Sequence, residues 1–274
     1  MSAAIPTRLD VPPKPRNTLR TVLVSAAVAA FTVATCLPSI GGIELDLAAI
    51  VQHWRNGVTK LVQLAQPNLA FLPRTWAPLL ETLQMALVGA VAAALCSIPL
   101  TLWAAAPTNP NRLTRALVRT VNNINRAVPD LVFATVLVAM VGVGALPGVV
   151  TLFLFNIGVV VKLVSEAIDA ADHRYMEAGR AAGGTQFQIN RATALPQAWP
   201  LFANQWLYAL ELNVRISAIL GIVGAGGIGS MLSNYTNYRQ WDTVGMLLIV
   251  VIAATMLMDA ISGAIRRRIT NGAG

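Results

Sequence analysis

The apolar runs of this chain limit most narrowly what it can fold into. Residues 21–40 are almost wholly apolar, and further runs cover Leu79–Ala106, Val128–Val143, Val149–Glu166, Leu201–Val223 and Val244–Ile265. A helix of about 20 apolar residues crosses the hydrocarbon core of a bilayer. Inside that core the backbone must satisfy its own polar groups, which such runs do by becoming helical. The runs therefore predict an all-α integral membrane protein of about six transmembrane helices. Charged residues are only 12% of the chain, about half the share usual in soluble domains. Pro99 predicts a kink in the second run.

The segments between the runs differ in kind. Residues 1–20 hold Pro6, Pro12, Pro13 and Pro15 and read as a polar tail, and the basic start followed by an apolar run reads as an uncleaved first span. Over 44–65, Leu47, Ile50, Val51, Trp54, Val58, Leu61 and Val62 recur at helical spacing. That pattern predicts an amphipathic helix on the membrane surface. Residues 66–78, with Pro67, Pro73 and Pro78, read as a loop. The expected division is a tail at 1–20, a first span with external helix and loop at 21–78, a transmembrane domain at 79–265 and a basic tail at 266–274. Cys36 and Cys96 lie in apolar runs and read as small buried hydrophobes, with no disulfide or metal pattern.

Lysine and arginine orient the spans. With both termini in the cytoplasm, the inner segments hold fourteen of the 20 Lys and Arg, and the outer segments hold Arg55, Lys60, Arg74 and Arg239. Reversing the chain would invert that bias. The net charge of +8 is then a matter of topology and needs no nucleic-acid partner.

The longest polar, helix-prone run, Glu166–Pro196, lies in a cytoplasmic loop at 166–200. Its small residues, Ala178, Gly179, Ala181, Ala182 and Gly183, would let a partner approach closely. Gly183-Gly184 would end the helix and Leu195-Pro196 would stiffen the return to the membrane. Composition alone leaves open a solvated loop helix with no partner. Within or at the mouths of the spans stand Arg126, Asp130, Lys162, Glu211, Asn213 and Arg215. Buried charge is costly in a bilayer, so such groups read either as a clasp between helices or as the lining of an anion path. Glu211 precedes Arg215 by four residues, the favourable order for an ion pair, with Asn213 on another face.

Gly224-Ala225-Gly226-Gly227-Ile228-Gly229 fits a dinucleotide-binding pattern, but that reading needs a preceding strand and a suitably spaced acid. An apolar span precedes it instead. Gly224, Gly226, Gly227 and Gly229 therefore read as a bend packed closely at the outer end of a pore. The sequence has no P-loop pattern, and no catalytic or metal-ligating constellation is evident; His53 and His173 fall on opposite sides of the membrane.

Glu177-Ala178-Gly179, Gly183 and Thr193-Ala194-Leu195-Pro196 resemble, in spacing, the EAA loop of ABC-importer permeases, with Gly179 where alanine is usual and Thr193 where isoleucine is usual. Residues 81–87 (ETLQMAL), 125–132 (NRAVPDLV), 211–215 (ELNVR) and 221–229 (GIVGAGGIG) are similar, in order, to the permease of phosphonate-type ABC importers. The resemblance runs from about residue 79 to residue 268. It implies a type I importer fold in the bacterial inner membrane and a pair of permease copies. Two ATPase subunits would carry ATP and Mg on their own chains, leaving no cofactor here. An extracytoplasmic substrate-binding protein would deliver a phosphonate, phosphate or phosphite. It also implies that Glu177, Ala178, Gly179, Gly183, Leu195 and Pro196 meet the ATPase. Two alternatives stand beside it: an ABC permease for another small solute such as an amino acid, and an ion-coupled secondary transporter, which inverted repeats would favour.

Overall fold

A computed structural model describes residues 18–35 and 47–271, and among them there are helices and turns but no strand. The chain divides into two compact units, Met1–Thr59 and Lys60–Gly274. In the first, α1 (Thr18–Thr35) exposes apolar side chains all round, Val22 and Phe31 among them. The expected tail over 1–17 and the end of the expected first span, 36–40, lie outside the described residues. The amphipathic stretch forms two helices, α2 (Leu47–Gln52) and α3 (Trp54–Leu64), parted at His53; α3 runs on into the second unit.

The second unit is built on α4 (Leu72–Ala104). The loop expected over 66–78 is mostly helix. Pro73 lies in the first turn, where its missing N–H has no intrahelical partner to lose. Pro78 and Pro99 are both carried inside one continuous helix. After α4 come α5 (Arg112–Ala127) and α6 (Asp130–Val141), whose axes bend by 86°. The third span expected over Val128–Val143 is thus corrected. α6 alone is about 18 Å long, short of the roughly 30 Å hydrocarbon core. The break falls at Val128-Pro129, both extended, because a residue before proline avoids the helical region.

Helix α7 (Ala145–Ala170) returns alongside α4. Then follow α8 (Arg174–Ala181), α9 (Gln186–Ile189), a π-turn over Asn190–Ala194 and α10 (Leu195–Leu220). The last elements are α11 (Gly227–Asn237) and α12 (Trp241–Asn271). Arg266 to Arg268, expected in a tail, continue α12, where cations favour a helix C-terminus. Among the described residues, four helical stretches are long and apolar enough to cross a membrane: Leu69–Ala104, Ala145–Ala170, Gln186–Val223 and Trp241–Ile269. The bent α5–α6 pair meets the same length and composition test only when its two helices are taken together, as a broken span or a re-entrant loop.

Small residues let the helices approach. On α4, Ala86, Gly89, Ala90 and Ala93 are buried, and a Cβ on Gly89 would stand 2.9 Å from Leu152 Cβ of α7. Helices in lipid gain little from hydrophobicity alone and associate through such close packing and through polar links. Two links tie α10 to α4: Asn213 Nδ2 donates to the Ala86 carbonyl at 3.0 Å, and Trp206 Nε1 to that of Ala90 at 2.9 Å. Cys96 is exposed on α4 rather than buried, because the inward face there belongs to Ala93 and Ser97.

Candidate functional site

At one end of the helical unit, residues 105–111 and the loop carrying α8 and α9 lie together. Helix α8 buries one side chain, Met176, against Ile189 and Ala194. Glu177 and Ala178 are exposed, and Gly179 is tucked against Ile189, whose Cγ1 would lie 3.2 Å from an added Cβ. The helix closes with Gly183 at φ +79°. Gly183 N–H donates to the Arg180 carbonyl and Gly184 N–H to that of Gly179, which satisfies the last carbonyls of the helix. Thr185 then caps α9 in a reciprocal pair with Gln188. Leu195 and Pro196, expected to stiffen the return to the membrane, follow the π-turn in one helical stretch from Gln186. A π-turn accommodates the donor that Pro196 lacks. Asp172, exposed, accepts from the Arg174 side chain and backbone. Those hydrogen bonds hold its carboxyl below the usual carboxylate range and raise the Arg174 guanidinium above its own.

Sequence reasoning missed what holds this loop. Asp169 Oδ1 accepts from Ala106 N–H at 2.7 Å, and Oδ2 pairs with Arg119 at 2.5 Å. The side chains of Arg180 and Gln186 donate to the Pro107 carbonyl, and that of Asn190 to the Thr108 carbonyl. The acceptors are backbone atoms of a remote loop, for which no residue type gives a signal.

The six charged and polar groups expected on a path separate into four places. Arg126 and Asp130 line a cavity of about 510 Å³ in the α5–α6 corner, walled by Phe155 and Val159 of α7 and Ile216 and Ile219 of α10. Neither makes an ion pair with a described residue. Gly158 makes room for the Arg126 stem, since a Cβ there would lie 2.7 Å from Arg126 Cγ. Lys162 is elsewhere, paired with Glu166 one turn on. Asn213 is fully buried against α4, so it lines neither the cavity nor the charged cluster of α10. Glu211 and Arg215 do pair, loosely at 3.6 Å, and α12 adds two partners. Arg215 Nη2 is 3.9 Å from Asp259 Oδ1, and Arg266 Nη2 is 3.8 Å from Glu211 Oε2. An acid inside the apolar run 244–265 was the available signal for Asp259.

At the opposite end, the glycine run bends the chain from α10 into α11. Gly224, Gly226 and Gly227 have φ of +90°, +81° and +66°. Gly226 leaves α11 without a capping side chain, and Thr82 Oγ1 of α4 supplies the cap by accepting from Ile228 N–H at 2.8 Å. Gly229 packs backbone to backbone, with a Cβ there 2.4 Å from the Ala218 carbonyl oxygen. These are close-packing glycines, with none of the strand-to-helix setting that a dinucleotide fold requires.

Residues 97–271 match the family described as binding-protein-dependent transport system inner membrane component. Over 195 residues the chain is 40% identical to a phosphite transport system permease, PtxC, of Stutzerimonas stutzeri, covering 71% of each chain. It is 34% identical over 229 residues to the phosphate-import permease PhnE of Mycolicibacterium smegmatis, covering 84% of this chain but only 43% of that protein. Its fold resembles that of an inward-facing MetNI methionine ABC transporter, with a TM-score of 0.65 and 24% identity over 74% of this chain and 99% of that one. These matches set aside an ion-coupled secondary transporter. The chain is a multi-pass transport subunit of the inner membrane with a type I importer permease fold, and it belongs to the binding-protein-dependent transport system inner membrane component family.

Proposed function

We propose that the chain is the permease of an ATP-driven importer for a phosphorus oxyanion: phosphite, phosphate or a phosphonate. The observation that carries this reading is the 40% identity to a phosphite permease over 71% of both chains. A cavity lined by Arg126, which makes no ion pair with a described residue, and by Asp130 supports it, since a guanidinium can donate two parallel hydrogen bonds to an oxyanion. Two copies pair in the membrane with both termini in the cytoplasm. ATP and Mg stay on two separate ATPase chains, which meet the exposed face of α8 around Glu177 and Ala178, and an external binding protein delivers the solute. Arg126 and Asp130 line the solute path, while the Glu211–Arg215–Asp259–Arg266 cluster clasps α10 to α12.

The test is uptake of radiolabelled phosphite and phosphate by vesicles holding the permease with its ATPase and binding protein, with and without internal ATP. ATP-dependent uptake of either, competed by methylphosphonate, is expected. If neither is taken up and methylphosphonate with the binding protein fails to stimulate ATP hydrolysis, the solute assignment is wrong.

A further inference from the structure

We infer that the loop between α4 and α5 is a lasting second anchor of the coupling loop, and that Arg180, Gln186 and Asn190 are positioning residues that carry coupling-loop movement into α5 and on to Arg126. The inference rests on the transport reading above.

Three side chains, one each from α8, α9 and the π-turn, converge on two adjacent carbonyls. Arg180 Nη2 reaches Pro107 O at 3.0 Å, Gln186 Nε2 the same oxygen at 3.3 Å, and Asn190 Nδ2 reaches Thr108 O at 2.9 Å. Gln186 and Asn190 also bond each other at 2.8 Å, so the donors are held as a set. The receiving loop is stiff. Thr108 Oγ1 donates to Leu102 O, and Asn109 Nδ2 to Trp103 O, which locks the loop to the end of α4. On its other side, Asn111 caps α5, and Arg115 donates back to Asn109 O. Arg119 bonds both Ala104 O and Asp169.

From there α5 runs unbroken to Ala127. Its inward face is polar, with Asn122 donating to Gly158 O and Asn125 to Leu154 O. Its outward face is apolar, with Leu113, Leu117, Val121 and Ile124 exposed. A helix bonded to its neighbours on one face and free of packed protein contacts on the other moves with the elements it is bonded to. Arg126 is in its last turn, at the cavity wall. The chain of contacts therefore links an ATPase-facing helix to a solute-facing cation without passing through the apolar core.

The experiment uses the full transporter in vesicles with radiolabelled phosphite. Asn190→Asp keeps the shape and still accepts from Gln186 but cannot donate to Thr108 O. It should lower uptake at least fivefold relative to ATP hydrolysed, while binding-protein-stimulated hydrolysis and membrane assembly persist. An unchanged uptake-to-hydrolysis ratio overturns the relay. Independently, Thr108→Cys with Asn190→Cys, in a Cys36→Ser, Cys96→Ser background, is bridged by a short reducible bis-thiosulfonate. The unbridged double variant lacks the Asn190 donor and should be impaired as Asn190→Asp is, and bridging should restore at least half of normal uptake if the anchor lasts through the cycle. Bridging that instead lowers uptake further, with recovery on reduction, would mean that the two loops must part, and the inference fails. Absence of ATP-driven uptake in the unaltered protein, by contrast, removes the transport reading itself.

Discussion

Gly183 allows backbone strain to be separated from surface contact. Its φ is +79°, and a Cβ built there meets nothing within 4 Å. Gly183→Ala therefore carries one cost within this chain, the left-handed backbone, of about 1–2 kcal/mol. That corresponds to a factor of about 5–30 in the population of the correctly closed turn. Gly183→Asn should lose less, because asparagine visits that region more readily. Gly183→Leu should match alanine as far as this chain is concerned, and any further loss measures the partner surface. Gly184→Ala is a different case, with its Cβ 3.0 Å from the Gly179 carbonyl oxygen. The assay is ATP-driven phosphite uptake, read beside stimulated ATP hydrolysis in the same vesicles. The expected order of uptake is glycine, asparagine, then alanine. Asparagine as damaging as alanine would refute the strain argument, and the motif glycine would then be required for fit to the ATPase.

Four other perturbations follow from the packing. Thr82→Val strips the cap from Ile228 N–H, both residues being 1% exposed; an orphaned buried donor costs about 1–3 kcal/mol, read as lowered stability in detergent, whereas Thr82→Ser should restore it. Gly229→Ala drives a Cβ onto the Ala218 carbonyl oxygen and Gly221 Cα, where no rotamer change can relieve the clash; the yield of folded protein should collapse, and a normal yield would contradict the packing. Gly158→Ala meets only the flexible Arg126 stem and the Asn125 amide, so uptake should fall severalfold while thermal stability changes little. Asp172 has a lowered pKa, so its bond to Arg174 contributes above the ordinary carboxylate range and is lost only as pH falls through the lowered value. Asp172→Asn should therefore lower uptake by the same factor at neutral pH and in mild acid, and a loss confined to neutral pH would contradict the lowered pKa.

The parts legible in the sequence were those with local causes. Apolar runs marked α4, α7, α10 and α12, and Gly183-Gly184 marked the end of α8, because each is decided by neighbours in sequence. The Glu211–Arg215 pair was legible for the same reason, while Asp259 and Arg266 reach it from another helix. The glycine run announced close approach but could not name Thr82 as its partner.

Helix α5 shows the limit most sharply. Four arginines made 107–126 read as a segment in water. Periodicity establishes that such a stretch is amphipathic, but only the solvent decides which face turns inward. Here Asn122 is 8% exposed and Leu113 is 79% exposed, the reverse of a soluble helix and the sense that lipid imposes. That inversion has a structural consequence. Asn122 and Asn125 spend their amides on α7 carbonyls, so α5 is held against α7 until Val128-Pro129 ends it. The chain must then bend there instead of running on as one straight helix. An in-membrane turn exposes backbone, which is tolerated only beside protein or a wet cavity. The 86° break and the cavity holding Arg126 and Asp130 are thus two aspects of one feature, set by which face of α5 is polar.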